Sequence, residues 1–285
     1  VQTLFPSPTL FRSAAFAGIE GGVGTLPLAV ADAVRAAGGT ILTGTPVTEL
    51  RRTGGSDGGA GDGGGSAGRW QVVTPERTYT ADAVVLATPA GPAAALLAAH
   101  APAAAAELGA VEYASMALVT LAFRRADVQG GPALPGSGFL VPPVDGHTIK
   151  ASTFSSRKWR WVDEAAPDLL VLRTSVGRHG EEEQVHREDA DLVDVSLKDL
   201  AAATGLAARP VATTVTRWIG GLPQYPVGHL ARVERIRAAV AGLSGLALAG
   251  AVYEGVGIPA CVASAERAAD EIIATSKSTD PGAGH

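Results

Sequence analysis

The stretch "LAGAVYEGVGIPACVASAERAADEI", residues 248–272, runs from a short apolar strand through a glycine-rich turn into a helix. Gly250, Gly255 and Gly257 let the chain turn tightly and let another group approach the backbone. Pro259 stands where the first turn of a helix over 260–274 should begin, a position that loses nothing from its missing N–H. Unpaired N–H groups at such a helix start suit a phosphate or the electron-rich edge of a ring. A plain strand-to-helix turn fits the same residues, and on this segment alone both readings stand.

With 285 residues, 46% of them hydrophobic, the chain can bury a large core. A net charge of -5 gives no uniform attraction for nucleic acid or anionic lipid, so neither is expected as a partner. Cys261 is the sole cysteine, which excludes an intramolecular disulfide, a CxxC redox pair and a zinc knuckle. It suits a reducing compartment, and a cytoplasmic location is expected. The Ala-rich stretch from Ala81 to Ala106 is broken by Pro89, Pro92 and Pro102, so no apolar run reaches the roughly 18 residues of a membrane span. The segment before Gly18 lacks the pattern of a signal peptide. Within it, "TLFRS" at 9–13 can be back-translated into the end of a common sequencing adapter, and residues 1–14 are set apart as non-native or disordered.

Along the chain, "GGVGTLP" precedes a helix expected over Leu26 to Ala37, and strands are expected at "TILTG", "PVTEL" and "RWQVVT". The spacer "GGSDGGAGDGGGSAG" reads as a flexible hairpin tip. "ADAVVLATPA" contains an apolar run of the kind found in a strand buried on both faces, and Ala-rich helix follows to about Leu108. From Tyr113 to Val176 the texture is that of an antiparallel sheet. A helix is then expected across 181–205 with Gly205 as its stop, followed by a strand at "RPVATTVTRWIGG", a helix at "HLARVERIRAAVAG" and a last strand at "GLALAG". The tail "TSKSTDPGAGH" reads as disordered.

The first glycine cluster, Gly21, Gly22 and Gly24, lacks the third glycine and the preceding strand of a dinucleotide fingerprint and reads as a tight turn. No Ser-His-Asp order, metal-ligand cluster or carboxylate pair stands out. His147, His179 and His186 read as surface residues and His229 as a helix-start residue. Cys261 reads as buried against the sheet, and Glu254 fits either a contact near a bound group or the fixing of its own turn.

Taken together, "GGVGTLP", "TPVTEL", "ADAVVLATPA", "TRWIGGLPQYPVGH" and "LAGAVYEGVGIPACVASAERAA" resemble the FAD-dependent protoporphyrinogen and coproporphyrinogen III oxidases of the amine-oxidase-like flavoprotein superfamily. The likeness spans roughly residues 15–275. It implies an α/β fold: an incomplete Rossmann-like FAD-binding domain from 15–112 and 216–276, with a mainly antiparallel substrate domain at 113–215. It implies a C-terminal fragment lacking the N-terminal half with GxGxxG, and peripheral membrane contact through that half.

The activity implied is removal of six electrons from coproporphyrinogen III or protoporphyrinogen IX in haem biosynthesis, with FAD taking hydride and O2 as acceptor. FAD contacts carried over by the resemblance are Val47 at the adenine, Trp218 beside the cofactor, and the backbone of Val256, Gly257 and Ile258 along the isoalloxazine. Arg157, Lys158 and Arg160 of "SSRKWRW" offer cations for propionates, although a solvated strand end is the plainer reading. The resemblance leaves room for a homodimer. Ala260 stands where the family commonly has Asp, and "GAVY" replaces a more polar start. Two other readings stay open: an amine-oxidase or carotenoid-desaturase relative, and an inactive remnant or interaction module.

Overall fold

The computed structural model describes residues 18–53, 69–131 and 134–278. The expectations for residues 1–14, for the spacer 54–68 and for the end of the tail, 279–285, lie outside them. The strands are, in chain order, β1 (Glu49–Thr53), β2 (Arg69–Val73), β3 (Thr78–Ala81), β4 (Val84–Leu86), β5 (Tyr113–Arg124), β6 (Gly138–Leu140), β7 (Ile149–Thr153), β8 (Leu169–Val176), β9 (Ala212–Pro223) and β10 (Leu246–Leu248). The chain forms two compact units, one of Val1–Ile41 with Tyr113–Gly221 and one of Leu42–Glu112 with Leu222–His285.

The first unit is built on a five-stranded sheet of order β6-β7-β8-β5-β9. β5 and β8 pair antiparallel from Ala117↔Val176 to Arg124↔Leu169. Burial alternates along β5 because successive side chains point to opposite faces. Val119, Leu121 and Phe123 join Leu170 and Leu172 of β8 in a core that also takes Leu192 and Leu200 from the helix Asp189–Thr204. That helix stops at Gly205, in the left-handed region at φ 77°, where its N–H donates to Ala201 O at 2.7 Å. The segment ahead of it, Glu182–His186, is a 3-10 turn and not part of the helix.

Asp199 is a buried carboxylate on the core side of this helix. It accepts the Thr148 N–H at 2.7 Å and the Ile149 N–H at 3.0 Å, and lies 3.2 Å from His147 Nδ1. His147 is therefore a half-buried tie at the start of β7 and not the surface residue expected from its turn-like context. His179 and His186 are exposed.

The first glycine cluster belongs to this unit, and its Gly21 and Gly22 take φ 78° and 99°, conformations that suit glycine in a tight turn. Just ahead of it, a Cβ at Gly18 would fall 2.3 Å from the Trp159 ring. The turn leads into the helix Thr25–Ala36, one residue ahead of the expected bounds. Trp159 joins two short helices, Ser155–Lys158 and Arg160–Ala165, and Trp161 sits on the second, where a strand end was expected. β7 stops at Thr153, and the Trp159 N–H then closes a helical turn onto Ser155 O at 3.0 Å.

In the second unit β1, β2 and β3 form an antiparallel meander, while β4 and β10 pair parallel from Leu246↔Val84 to Leu248↔Leu86. Trp70 of β2 is fully buried. Its Nε1–H donates to Ser244 O at 3.0 Å, and its ring meets His100 edge-on at 5.2 Å. His100 Nε2 in turn lies 2.8 Å from Leu50 O.

Two strand expectations change here. No strand forms at "TILTG", where Gly44 takes φ 66° in a bend, and β1 begins at Glu49, later than the Pro46 start expected from "PVTEL". β10 is buried at all three positions, yet Val85 of β4 is 44% exposed, so β4 is not covered on both faces.

The Ala-rich segment makes the helices Ala90–Leu97 and Pro102–Gly109. Glu107 on the latter pairs with Arg235 and Arg232 of the helix His229–Val240. The hydrogen bond from Arg235 holds its carboxyl below the ordinary value.

Trp70→Ala should remove the packing between β2, His100 and the chain at Ser244. A stability loss of about 3–5 kcal/mol is expected in urea denaturation, and a change under about 1 kcal/mol would contradict this placement of the second unit's core.

Candidate functional site

The candidate site begins where β10 ends. Gly250 takes φ 129°, and its N–H donates to Ser264 Oγ at 3.1 Å. A four-residue helix, Ala251–Glu254, comes next, where the sequence reading ran the strand directly into the turn. Gly255 follows at φ 151°, a conformation that L side chains rarely adopt. The long helix then spans Ile258–Ser278 and includes residues 275–278 of the expected tail. Its first turn closes with the Cys261 N–H on Gly257 O at 3.0 Å.

Small side chains seat this helix on the parallel pair. Ala247 and Ala249 pack with Ala268, and Ile272 borders the cluster. At the turn the tolerances are tight on one side and open on the other. A Cβ at Gly255 would fall 3.1 Å from the Ala260 methyl, whereas one at Gly257 would meet only Pro259 Cδ, at 3.9 Å. Val256 is 47% and Ile258 44% exposed. The backbone of 256–258 is thus approachable next to a helix start, where the helix carries partial positive charge.

The rim of the turn is held by ion pairs. Glu254 Oε1 accepts from Arg237 Nη2 at 2.6 Å and Oε2 from Arg267 Nη2 at 2.8 Å. Glu271 lies 3.7 Å from Arg237 and 3.8 Å from Arg267, so two carboxylates and two guanidinium groups form one network. Arg237 also stands 5.6 Å over the buried Tyr253 ring. Glu254 accordingly fixes its own turn. Cys261 is partly buried and not sealed against the sheet; its Sγ lies 3.7 Å from Gly255 O.

On the other flank, Tyr225 donates its hydroxyl to Ala251 O, and His229 Nε2 lies 2.9 Å from Val252 O. His229 is the first residue of its helix, as expected, and is buried. A pocket of about 360 Å³ is lined by Tyr225, Pro226, His229, Tyr253 and Glu254 among others. The sequence reading quoted "PQYPVGH" without assigning these contacts; a Tyr and a His four residues apart around a Pro gave no sign of which carbonyls they would reach.

The structure joins Val256, Gly257 and Ile258 in one exposed turn. Val47 sits in the loop ahead of β1, 41% exposed. Trp218 lies on β9 in the other unit and is 54% exposed, beside Ile219 at 58%. Among the described residues no cluster of three His, Cys, Asp or Glu side chains is placed to hold a metal ion. No helix among them is long and apolar enough to cross a membrane.

The family model for flavin containing amine oxidoreductase matches residues 4–273. The chain belongs to that family. The expectation of an amine-oxidase-like flavoprotein with mixed helix and sheet is therefore met, and the family's cofactor is a flavin.

Similarity is also found to coproporphyrinogen III oxidase of Mycobacterium tuberculosis, 39% identical over 209 residues, covering 73% of this chain and 42% of that protein. Protoporphyrinogen oxidase of Bos taurus is 30% identical over 266 residues, covering 90% and 51%. A crystal structure from Exiguobacterium sp. 255-15, assigned provisionally as a protoporphyrinogen oxidase, superposes with a TM-score of 0.72 at 31% identity, covering 92% of this chain and 52% of that one. The chain spans about half the length of these relatives.

The conformation at Gly255, the open space at Gly257 and the exposed positions 256–258 beside a helix start leave room for a group to approach the backbone here. Neither Ala260 nor the "GAVY" start disturbs this, because the approach is to the backbone.

Gly255→Ala should both strain the backbone and crowd Ala260. A loss of about 1–3 kcal/mol is expected in urea denaturation. Gly257→Ala, on an open surface, should cost less; equal losses would show that the turn is not shaped as described.

Proposed function

We propose that the protein takes part in FAD-dependent oxidation of a porphyrinogen. The observation that carries this reading is the glycine turn before the helix Ile258–Ser278, open at 256–258, in a chain of the flavin containing amine oxidoreductase family. Of the two porphyrinogens, coproporphyrinogen III is favoured, since relatives with that name reach 39% identity against 30% for the bovine protoporphyrinogen oxidase. O2 is the proposed acceptor, and haem biosynthesis the proposed setting.

In this reading Val256, Gly257 and Ile258 offer backbone groups to the isoalloxazine edge, with the helix start favouring negative charge there. Val47 lies along the adenine, and Trp218 packs beside the cofactor. When bound, the flavin supplies hydride acceptance, and the chain's part is to orient it and exclude water. The sheet of β5 to β9 is the proposed substrate-binding region. The GxGxxG pattern occurs in this sequence only within the spacer "GGSDGGAGDGGGSAG", which lies between β1 and β2 and not between a strand and a helix, so the flavin contacts proposed here are those of the turn and the helix start.

The test is to mix the purified chain with FAD, remove the excess and record the visible spectrum, then assay oxidation of coproporphyrinogen III and protoporphyrinogen IX. Retained flavin with porphyrin formation is the expected result for an active chain. Retained flavin that oxidises an amine and neither porphyrinogen would overturn the substrate reading. Trp218→Ala should weaken flavin binding about fivefold, the effect of one aromatic contact, and unchanged binding would remove Trp218 from the site.

A further inference from the structure

Two side chains of "PQYPVGH" reach one short helix from outside its own sequence. The Tyr225 hydroxyl donates to Ala251 O, and His229 Nε2 lies 2.9 Å from the next carbonyl, Val252 O. A carbonyl only accepts, so the second contact requires the Nε2–H tautomer and leaves Nδ1 without a proton on the neutral ring. Nδ1 is buried and has no hydrogen-bond partner. The two rings are tilted 33° to one another, their centroids 4.5 Å apart. The segment carrying them is itself fixed, by the His229 N–H on Pro226 O at 3.0 Å and by Gly228 at φ 87°.

The helix they reach needs outside support. Ala251–Glu254 has only four residues, too few to repay the entropy of nucleating a helix. Each of its carbonyls falls among the last four, which have no partner within a helix. Tyr225 and His229 reach two of them in succession, at Ala251 and Val252, the first two residues of the helix that ends before Gly255.

We propose that Tyr225 and His229 are positioning residues that clamp the helix Ala251–Glu254 and so fix the shape in which residues 255–258 meet the flavin. This rests on the flavin reading above. The clamp acts through the backbone at Ala251 and Val252. It gives the "PQYPVGH" segment a role in cofactor geometry without any contact to substrate. Glu254 secures the far end of the same helix through Arg237 and Arg267, so the turn is held from both sides.

The test uses the 285-residue chain and three variants, Tyr225→Phe, His229→Leu and His229→Gln, in amide hydrogen exchange read by mass spectrometry and in FAD titration. Tyr225→Phe and His229→Leu should each speed exchange across 251–258 about tenfold, the effect of one lost hydrogen bond, while β10 keeps its wild-type rates. Both should weaken FAD binding about fivefold to tenfold and shift the flavin absorption band. His229→Gln keeps a donor at the position of Nε2, and the pocket beside it has room for the side chain, so it should restore both readouts. Unchanged exchange at 251–258 would overturn the clamp, and faster exchange with unaltered FAD affinity and spectrum would overturn its role in positioning. A wild-type chain that retains no FAD would refute the flavin reading, and the exchange comparison, which needs no flavin, would still decide the clamp. Should His229→Leu exchange rapidly throughout, Tyr225→Phe and His229→Gln decide.

Discussion

The second unit depends on a parallel pairing only three residues long. β10 must lie beside β4, far back in the sequence, before the glycine turn or the helix Ile258–Ser278 has any fixed place. A pairing so short gains little from its own hydrogen bonds. It holds because the strand is buried at Leu246, Ala247 and Leu248 and because Ala268 of the long helix packs onto it. Small residues matter here for geometry: alanine at 247, 249 and 268 lets a helix approach a strand closely, and that closeness sets where the helix start falls.

From that anchor the turn is constrained by two kinds of interaction with different ranges. Backbone conformation at Gly250 and Gly255 fixes direction, since side-chain-bearing residues rarely adopt either. Charge fixes the flank, with Glu254 shared between two arginines on two helices. These ion pairs are partly exposed, so each contributes little alone, and their value lies in joining three segments at one carboxylate. What the turn leaves uncovered is backbone, and backbone tolerates the departures at Ala251 and Ala260 that a side-chain site would not.

Much of this was legible in the sequence because it depends on local pattern. The period-2 burial of β5, the Gly205 stop and the Pro259 helix start each follow from residues within one element. Expectations failed where a partner decided the outcome. "TILTG" has strand composition but leads into a bend at Gly44, and Val85 has core composition but stays exposed, although the equally short β10 beside it is buried. His147 looked like a turn residue, and a carboxylate on Asp199, about fifty positions later, holds it in place. For the same reason the reach of Tyr225 and His229 to adjacent carbonyls could not be read from "PQYPVGH".

The two glycine turns make the underlying point most directly. "GIEGGVGTLP" and "YEGVGIP" share a texture: closely spaced glycines, a β-branched residue between them, then a proline near a helix start. At the first, the space beside Gly18 is occupied by the Trp159 ring, so the missing Cβ there serves packing within the protein. At the second, Gly257 faces nothing closer than Pro259 Cδ, so the missing Cβ leaves backbone open to something outside it. Glycine confers the same freedom in both places. Whether that freedom becomes a core contact or a binding surface is set by which side chains the rest of the chain delivers to the turn, and a glycine motif acquires functional meaning only when its neighbours leave it uncovered.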